Sequence, residues 1–167
     1  EDGKEGDYLT DALTTKAIRF IADSADRPFF LNLWYYTVHT PIEPQKDKLK
    51  KYAAKAKALD QNASKPISEH HSLTRGGQSN PAYAAMVESL DENVGRIVDA
   101  MRSRGLEDNT IIVFTSDNGG LSTGPKATMP TCNLPLRAGK AWLYEGGIRE
   151  PLLVSYPAAI KPGLRLG

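Results

Sequence analysis

The 167-residue sequence is 40% hydrophobic and 25% charged, the balance of a folded globular chain rather than a disordered or membrane-spanning one. Its 21 basic and 20 acidic residues leave a formal net charge of +1, so no global field selects nucleic acid or an anionic membrane and partners must be recognised locally. The single cysteine, Cys132, excludes an internal disulfide and a cysteine-based zinc cluster, and no apolar run reaches the ~18 residues of a transmembrane helix.

The opening EDGKEGDYLT lacks the pattern of a signal peptide. Thr10 is placed to cap a helix whose apolar positions Leu13, Ala17, Ile18 and Ile21 fall at helical spacing, and whose end is expected near Asp26. After Arg27 and Pro28, the run FFLNLWYY predicts a central strand covered on both faces. Residues 46–57 hold six lysines and suit a solvated helix. The polar stretch 60–80 reads as a long surface loop.

Asn80 and Pro81 predict a helix start, and Tyr83, Met86, Val87, Leu90, Val94, Ile97, Val98 and Met101 form one apolar stripe along it, closed by Gly105. EDN then turns into TIIVFTS, a β-branched buried strand that stops at Asp117, Asn118, Gly119 and Gly120. A third short strand is expected over Leu152–Tyr156, between two prolines. Helix, tight turn, buried strand and polar loop is the grammar of an α/β sheet. Three strands and two clear helices leave that sheet with open edges, fewer elements than a self-sufficient doubly wound domain has.

In open α/β sheets ligands bind beyond the carboxyl ends of the strands. The residues there are Thr37 to Pro41, which include His39, and Asp117 to Gly120. Asp117 and Asn118 offer one charged and one neutral oxygen, the hard donors that calcium or magnesium takes, although Asp-Asn-Gly-Gly is also a turn-forming composition. Histidine is the side chain suited to proton transfer near neutral pH, and a histidine at a strand end is also a common structural hydrogen-bonder. Lys140, set among glycines, can present an ammonium to an anion or simply be solvated. His70 and His71 are adjacent, so in extended chain they point to opposite sides and do not share a metal.

Three blocks taken together resemble the type I sulfatase family of the alkaline phosphatase-like superfamily: PFFLNLWYYTVHTP, YAAMVESLDENVGRIVDAMRSRGLEDNTIIVFTSDNGG and LPLRAGKAWLYEGGIREPLLVSYPAAIKPG. The likeness runs from about Tyr8 to Pro162 and is weakest from the lysine-rich segment to Asn80. It implies an α/β, alkaline phosphatase-like mixed sheet flanked by helices, and hydrolysis of a sulfate monoester, either an aryl sulfate or a sulfated sugar. It also implies Asp117 and Asn118 as ligands of an active-site calcium, with magnesium as the alternative ion. His39 would contact the substrate near the scissile ester oxygen, and Lys140 would bind the sulfate group. Glu145, Gly146, Gly147 and Arg149 would form a structural turn behind the site.

The family's nucleophile is a formylglycine made from Cys or Ser in a C/S-x-P-x-R motif, and this chain has no such motif. Cys132 does not supply it, because Leu134 and Leu136 stand at the proline and arginine positions. The expectation is that residues 1–167 are a partial catalytic domain, without the N-terminal part carrying the nucleophile and without the C-terminal subdomain. Such a piece is inert alone and has the remainder of the sulfatase polypeptide as its partner, with no nucleic acid and no membrane span. The resemblance implies a periplasmic, secreted or lysosomal location. Two other readings stand beside it: a related phosphatase, phosphodiesterase or phosphonate hydrolase, and a non-catalytic relative that binds sulfated glycans.

Overall fold

A computed structural model describes residues 3–4, 6–59, 65–125 and 129–165. In chain order the elements are α1 (Leu9–Asp23), α2 (Lys46–Lys57), β1 (Ile67–Glu69), β2 (Ser72–Thr74), α3 (Pro81–Arg102), a 3-10 turn (Glu107–Asn109), β3 (Ile112–Thr115), β4 (Thr123–Gly124), α4 (Glu145–Ile148) and β5 (Leu152–Ser155). The chain divides into two compact units, one of residues 1–45, 86–112 and 154–167, the other of residues 46–85 and 113–153. No helix among the described residues is long and apolar enough to cross a membrane.

In the first unit, α1 buries Thr14, Ala17 and Ile21, and its C-cap Ser24 is buried as well. That 3-4-3 spacing is one face of a helix. Thr10 is not the cap. Tyr8 occupies that position without a side-chain cap bond, and the Thr10 hydroxyl instead bonds the hydroxyl of Thr37. A half-buried polar network joins α1 to α3: Asn93 Nδ2 donates to Asp11 Oδ1 at 2.7 Å, and Gln45 Nε2 donates to Asp11 Oδ2 at 2.8 Å. Ser89 Oγ in turn donates to Gln45 Oε1 at 3.2 Å. These contacts give the buried polar groups the partners that burial requires.

The segment FFLNLWYY is extended, as expected, but pairs with no strand among the described residues. Its side chains alternate. Phe29 meets Phe20 of α1 edge-on at 5.9 Å, and the Tyr35 hydroxyl shares a 2.6 Å hydrogen bond with Thr14. Burial pushes the Tyr35 hydroxyl above its ordinary pKa, partly opposed by the bond to Thr14. On the opposite face Phe30, Trp34 and Tyr36 are 86%, 78% and 74% exposed. The expectation of a strand covered on both faces is therefore corrected: α1 covers one face, and no described element covers the other.

Helix α3 begins where the sequence places it. Asn80 Oδ1 accepts from the backbone N–H groups of Ala82 and Tyr83 at 3.0 and 3.2 Å, leaving Pro81 in the first turn. At its end the N–H of Leu106 reaches Met101 O and that of Gly105 reaches Arg102 O, with Gly105 left-handed at φ 67°. This is a Schellman closure, which glycine allows without steric penalty.

In the second unit the polar stretch 60–80 is more than a loop, although residues 60–64 lie outside the described residues. It contains an antiparallel hairpin in which Glu69 pairs with Ser72 and Ile67 with Thr74, turning through His70 at φ 50° and His71. Strand β2 continues onto β4, where Thr74 faces Thr123 and their hydroxyls bond at 2.8 Å. Strand β3 pairs with β5 in a separate two-stranded sheet whose residues belong wholly to neither unit. Val113 is 57% exposed and all four residues of β5 are exposed, so these strands, too, lack the cover expected of buried ones.

Candidate active site

The polar loop after β3 is built against two glycine-rich segments of the same unit. Gly119 N donates to Gly147 O at 3.1 Å, Lys140 N donates to Gly120 O at 3.1 Å, and Gly146 N donates to Arg137 O at 2.8 Å. The backbones approach so closely that a Cβ on Gly119 would lie 1.8 Å from Gly146 O, and one on Gly139 would lie 2.3 Å from Gly120 O. Only glycine fits such contacts. Asn133 closes the cradle from the side, its Nδ2 lying 2.8 Å from Gly120 O, and Ser122 Oγ donates to Ala138 O at 2.9 Å.

Three of the four expected site residues therefore share one frame. Asp117 and Asn118 sit immediately before the two glycines, and the backbone of Lys140 is bonded to the second of them. Asn118 Nδ2 donates to Asp117 Oδ2 at 2.6 Å, and Ser116 Oγ donates to Asn118 O at 2.9 Å, which holds the pair in a tight turn. Ala138 and Ala141, flanking Lys140, both adopt left-handed backbone at φ 59° and 72°. Such conformations are uncommon for residues with a side chain and persist where surrounding contacts fix them.

Glu150 is a residue that sequence reasoning missed. Its Oε1 is buried with no hydrogen-bond partner among the described residues, and burial first, then the negative charge of Asp117, push its carboxyl above the ordinary range. The only sequence signal was its place just after EGGIR. A local excess of carboxylate beside Asp117 is what a bound cation relieves, and the donors are hard oxygens, so the residues fit part of a calcium or magnesium site. They do not complete one: among the described residues no group of three or more His, Cys, Asp or Glu side chains could hold a metal.

His39 belongs to the first unit. Its Nδ1 donates to the carbonyl of Thr40 at 2.8 Å and its backbone N–H donates to Tyr36 O at 2.8 Å. Because Nδ1 carries the hydrogen for that bond, Nε2 is the ring nitrogen suited to proton transfer. The imidazole is exposed.

Elsewhere in the second unit Arg137 and Glu69 form a bidentate ion pair, with 2.6 Å between Arg137 Nη2 and Glu69 Oε1 and 3.0 Å between Arg137 Nε and Glu69 Oε2. The hydrogen bonds from Arg137 hold the Glu69 carboxyl below its usual range. Cys132, for which no catalytic role was expected, is fixed by its backbone: Gln78 Nε2 donates to Cys132 O at 2.7 Å, and Cys132 N donates to Gln78 Oε1 at 3.2 Å.

The architecture is a mixed α/β, alkaline phosphatase-like one shared with solved structures. The crystal structure of Ps i-CgsB matches 98% of this chain over 31% of its own length, at 33% identity and a TM-score of 0.73. Its complex with k-i-k-neocarrahexaose matches 94% of this chain over 30% of its own length, at 33% identity and a TM-score of 0.70. The chain belongs to the sulfatase family, whose model matches residues 2–165. A sulfatase of Formosa agariphila is 39% identical over 93% of this chain and 26% of its own length. Human arylsulfatase A is 33% identical over 86% of this chain and 23% of its own length. The chain thus spans about a quarter of the curated relatives it matches, and the family resemblance carried by the three sequence blocks is borne out.

Proposed function

We propose that residues 1–167 are a partial catalytic domain of a sulfatase that hydrolyses sulfate monoesters, and that they supply its later active-site groups while polypeptide outside them supplies the nucleophile. The observation that carries this reading is the hydrogen-bonded frame joining the Asp117–Gly120 loop to Lys140. It sets a pair of metal-type oxygen donors and an ammonium-bearing residue on one rigid scaffold, as recognition of an anionic group requires.

In this reading Asp117 and Asn118 would hold calcium, or magnesium in its place, and the ion together with a formylglycine would supply a Lewis acid for the sulfate oxygens and the attacking oxygen. Lys140 binds the sulfate group and offsets the negative charge that grows on its oxygens as the bond to sulfur forms. His39, held through Nδ1 by Thr40, delivers the Nε2 proton to the ester oxygen as the bond from sulfur to that oxygen breaks, so the alcohol leaves neutral. A sulfated glycan substrate is supported by the related structure bound to k-i-k-neocarrahexaose, and an aryl sulfate by the similarity to arylsulfatase A.

The test is sulfate release by the complete protein from a sulfated oligosaccharide and an aryl sulfate, with and without a calcium chelator. Release is expected to fall with chelation, and Asp117→Ala should raise the calcium concentration needed. Turnover indifferent to both the chelator and Asp117→Ala would remove the metal role.

A further inference from the structure

The segment that ends at Lys140 is held from two directions. Its main chain is gripped by the glycine loops: Arg137 O accepts from Gly146 N, and Lys140 N donates to Gly120 O. The Arg137 side chain goes elsewhere, to Glu69 at the end of β1. We propose that Glu69 and Arg137 are positioning residues for the anion-binding lysine, fastening the β1–β2 hairpin to residues 137–140 so that the Lys140 ammonium is aimed at the sulfate. This inference rests on the sulfate-binding reading of Lys140.

Arg137 is itself exposed, but the geometry of the pair is constrained. Glu69 is 8% exposed, and its two oxygens engage two nitrogens of the guanidinium, which fixes orientation as well as distance. The flat face of the same guanidinium lies over the Tyr144 ring, 3.8 Å from its centroid. His70 completes the cluster, its Nε2 3.1 Å from Arg137 Nη2 and 3.3 Å from the Tyr144 hydroxyl. Arg137 is thereby held at its edge by the hairpin and on its face by an aromatic ring four residues beyond Lys140.

A lysine side chain has four rotatable bonds, so where its ammonium can reach depends on how its own backbone is set. That backbone is flanked by the left-handed Ala138 and Ala141, conformations that relax unless neighbours hold them. A displacement of about 1 Å in a substrate-positioning group can cost about 100-fold in rate. A merely structural pair would instead change stability and leave kinetics alone.

The experiment compares Glu69→Gln, Arg137→Gln, the double variant and Lys140→Ala in the complete protein. It reads kcat, KM and the inhibition constant of inorganic sulfate well below the melting temperature. Each single variant is expected to lose roughly 10- to 100-fold in kcat/KM, to weaken sulfate inhibition in parallel, and to be no better than the double variant, because residues acting as one contact are not additive. Glu69→Asp and Arg137→Lys keep the charges but lose the two-point fit, and should show about a tenfold loss if the glutamine variants do not fold. Wild-type kinetics and sulfate inhibition in folded variants, or losses that add in the double variant, would overturn the proposal. Full activity in Lys140→Ala would instead overturn the reading of the lysine on which it rests.

Discussion

The backbone N–H of Lys140 donates to the carbonyl of Gly120 at 3.1 Å. Twenty residues of sequence separate the two, yet this bond makes the lysine segment and the Asp117–Gly120 turn a single piece of backbone. Opposite charges carried on one rigid piece need little reorganisation when an anion and a cation arrive together, which is the advantage of a preorganised site.

Gly119→Ala tests that piece. A Cβ there meets Gly146 O at 1.8 Å, and the obstacle is backbone, which cannot rotate aside. Overpacking typically costs about 1–3 kcal/mol. The variant of the complete protein should melt at a lower temperature and bind calcium more weakly. Gly95→Ala is a control in which the added Cβ meets nothing within 4 Å. Unchanged calcium affinity in Gly119→Ala would separate the glycine packing from the metal site.

His39 is expected to matter most when the leaving alcohol is poor. Loss of a general acid contributes a rate factor of about 100 to 10,000, and His39→Ala should approach that for a sugar sulfate. The loss should shrink for an aryl sulfate whose phenol leaves readily without a proton. Equal losses on both substrates would point to binding rather than proton transfer.

The Glu69–Arg137 pair gives a pH dependence of known sign. Glu69 is held below the carboxylate reference of 4.5, mainly by its hydrogen bonds from Arg137. A carboxylate with a depressed folded pKa contributes stability above its unfolded value and loses it as pH falls through the folded one. Denaturation midpoints of the complete protein should therefore drop on acidification below about pH 4.5, and Glu69→Gln should flatten part of that slope. A wild-type acid profile in Glu69→Gln would show the pair to be energetically silent.

Phe30, Trp34 and Tyr36 expose one apolar face of the extended segment. Burying each side chain would contribute about 1.5–3 kcal/mol, and an open patch of this kind favours association. Residues 1–167 produced by themselves should bind a hydrophobic dye, self-associate and release no sulfate. Trp34→Ser should reduce dye binding and association. A monomeric, dye-silent chain that hydrolyses an aryl sulfate would contradict the partial-domain reading.

The sequence made the long helices legible because α1 and α3 carry regular apolar stripes, and the Asn80–Pro81 start and Gly105 stop are chemically specific signals. It misjudged cover. FFLNLWYY and IVFT are apolar enough to be buried on both sides, but composition records what a strand needs and not whether the neighbour is present in 167 residues. The β1–β2 hairpin was hidden because His70 and His71 are not turn-forming residues, and His70 takes the left-handed conformation that glycine or asparagine usually occupies. Asp117, Asn118 and Lys140 could be picked out from strand ends and glycines. Glu150, Asn133 and the Glu69–Arg137 pair could not, since each matters through a contact across many residues, or through burial, that spacing does not encode.

The most direct test of the central claim compares initial rates of sulfate and phosphate release by the complete protein from matched sulfate and phosphate monoesters, in wild type and Lys140→Ala. The account predicts faster sulfate release, falling roughly 100- to 1,000-fold in the variant, the scale of losing one preorganised charge-stabilising group. Faster phosphate release in the wild type, or undiminished sulfate release in Lys140→Ala, would contradict it.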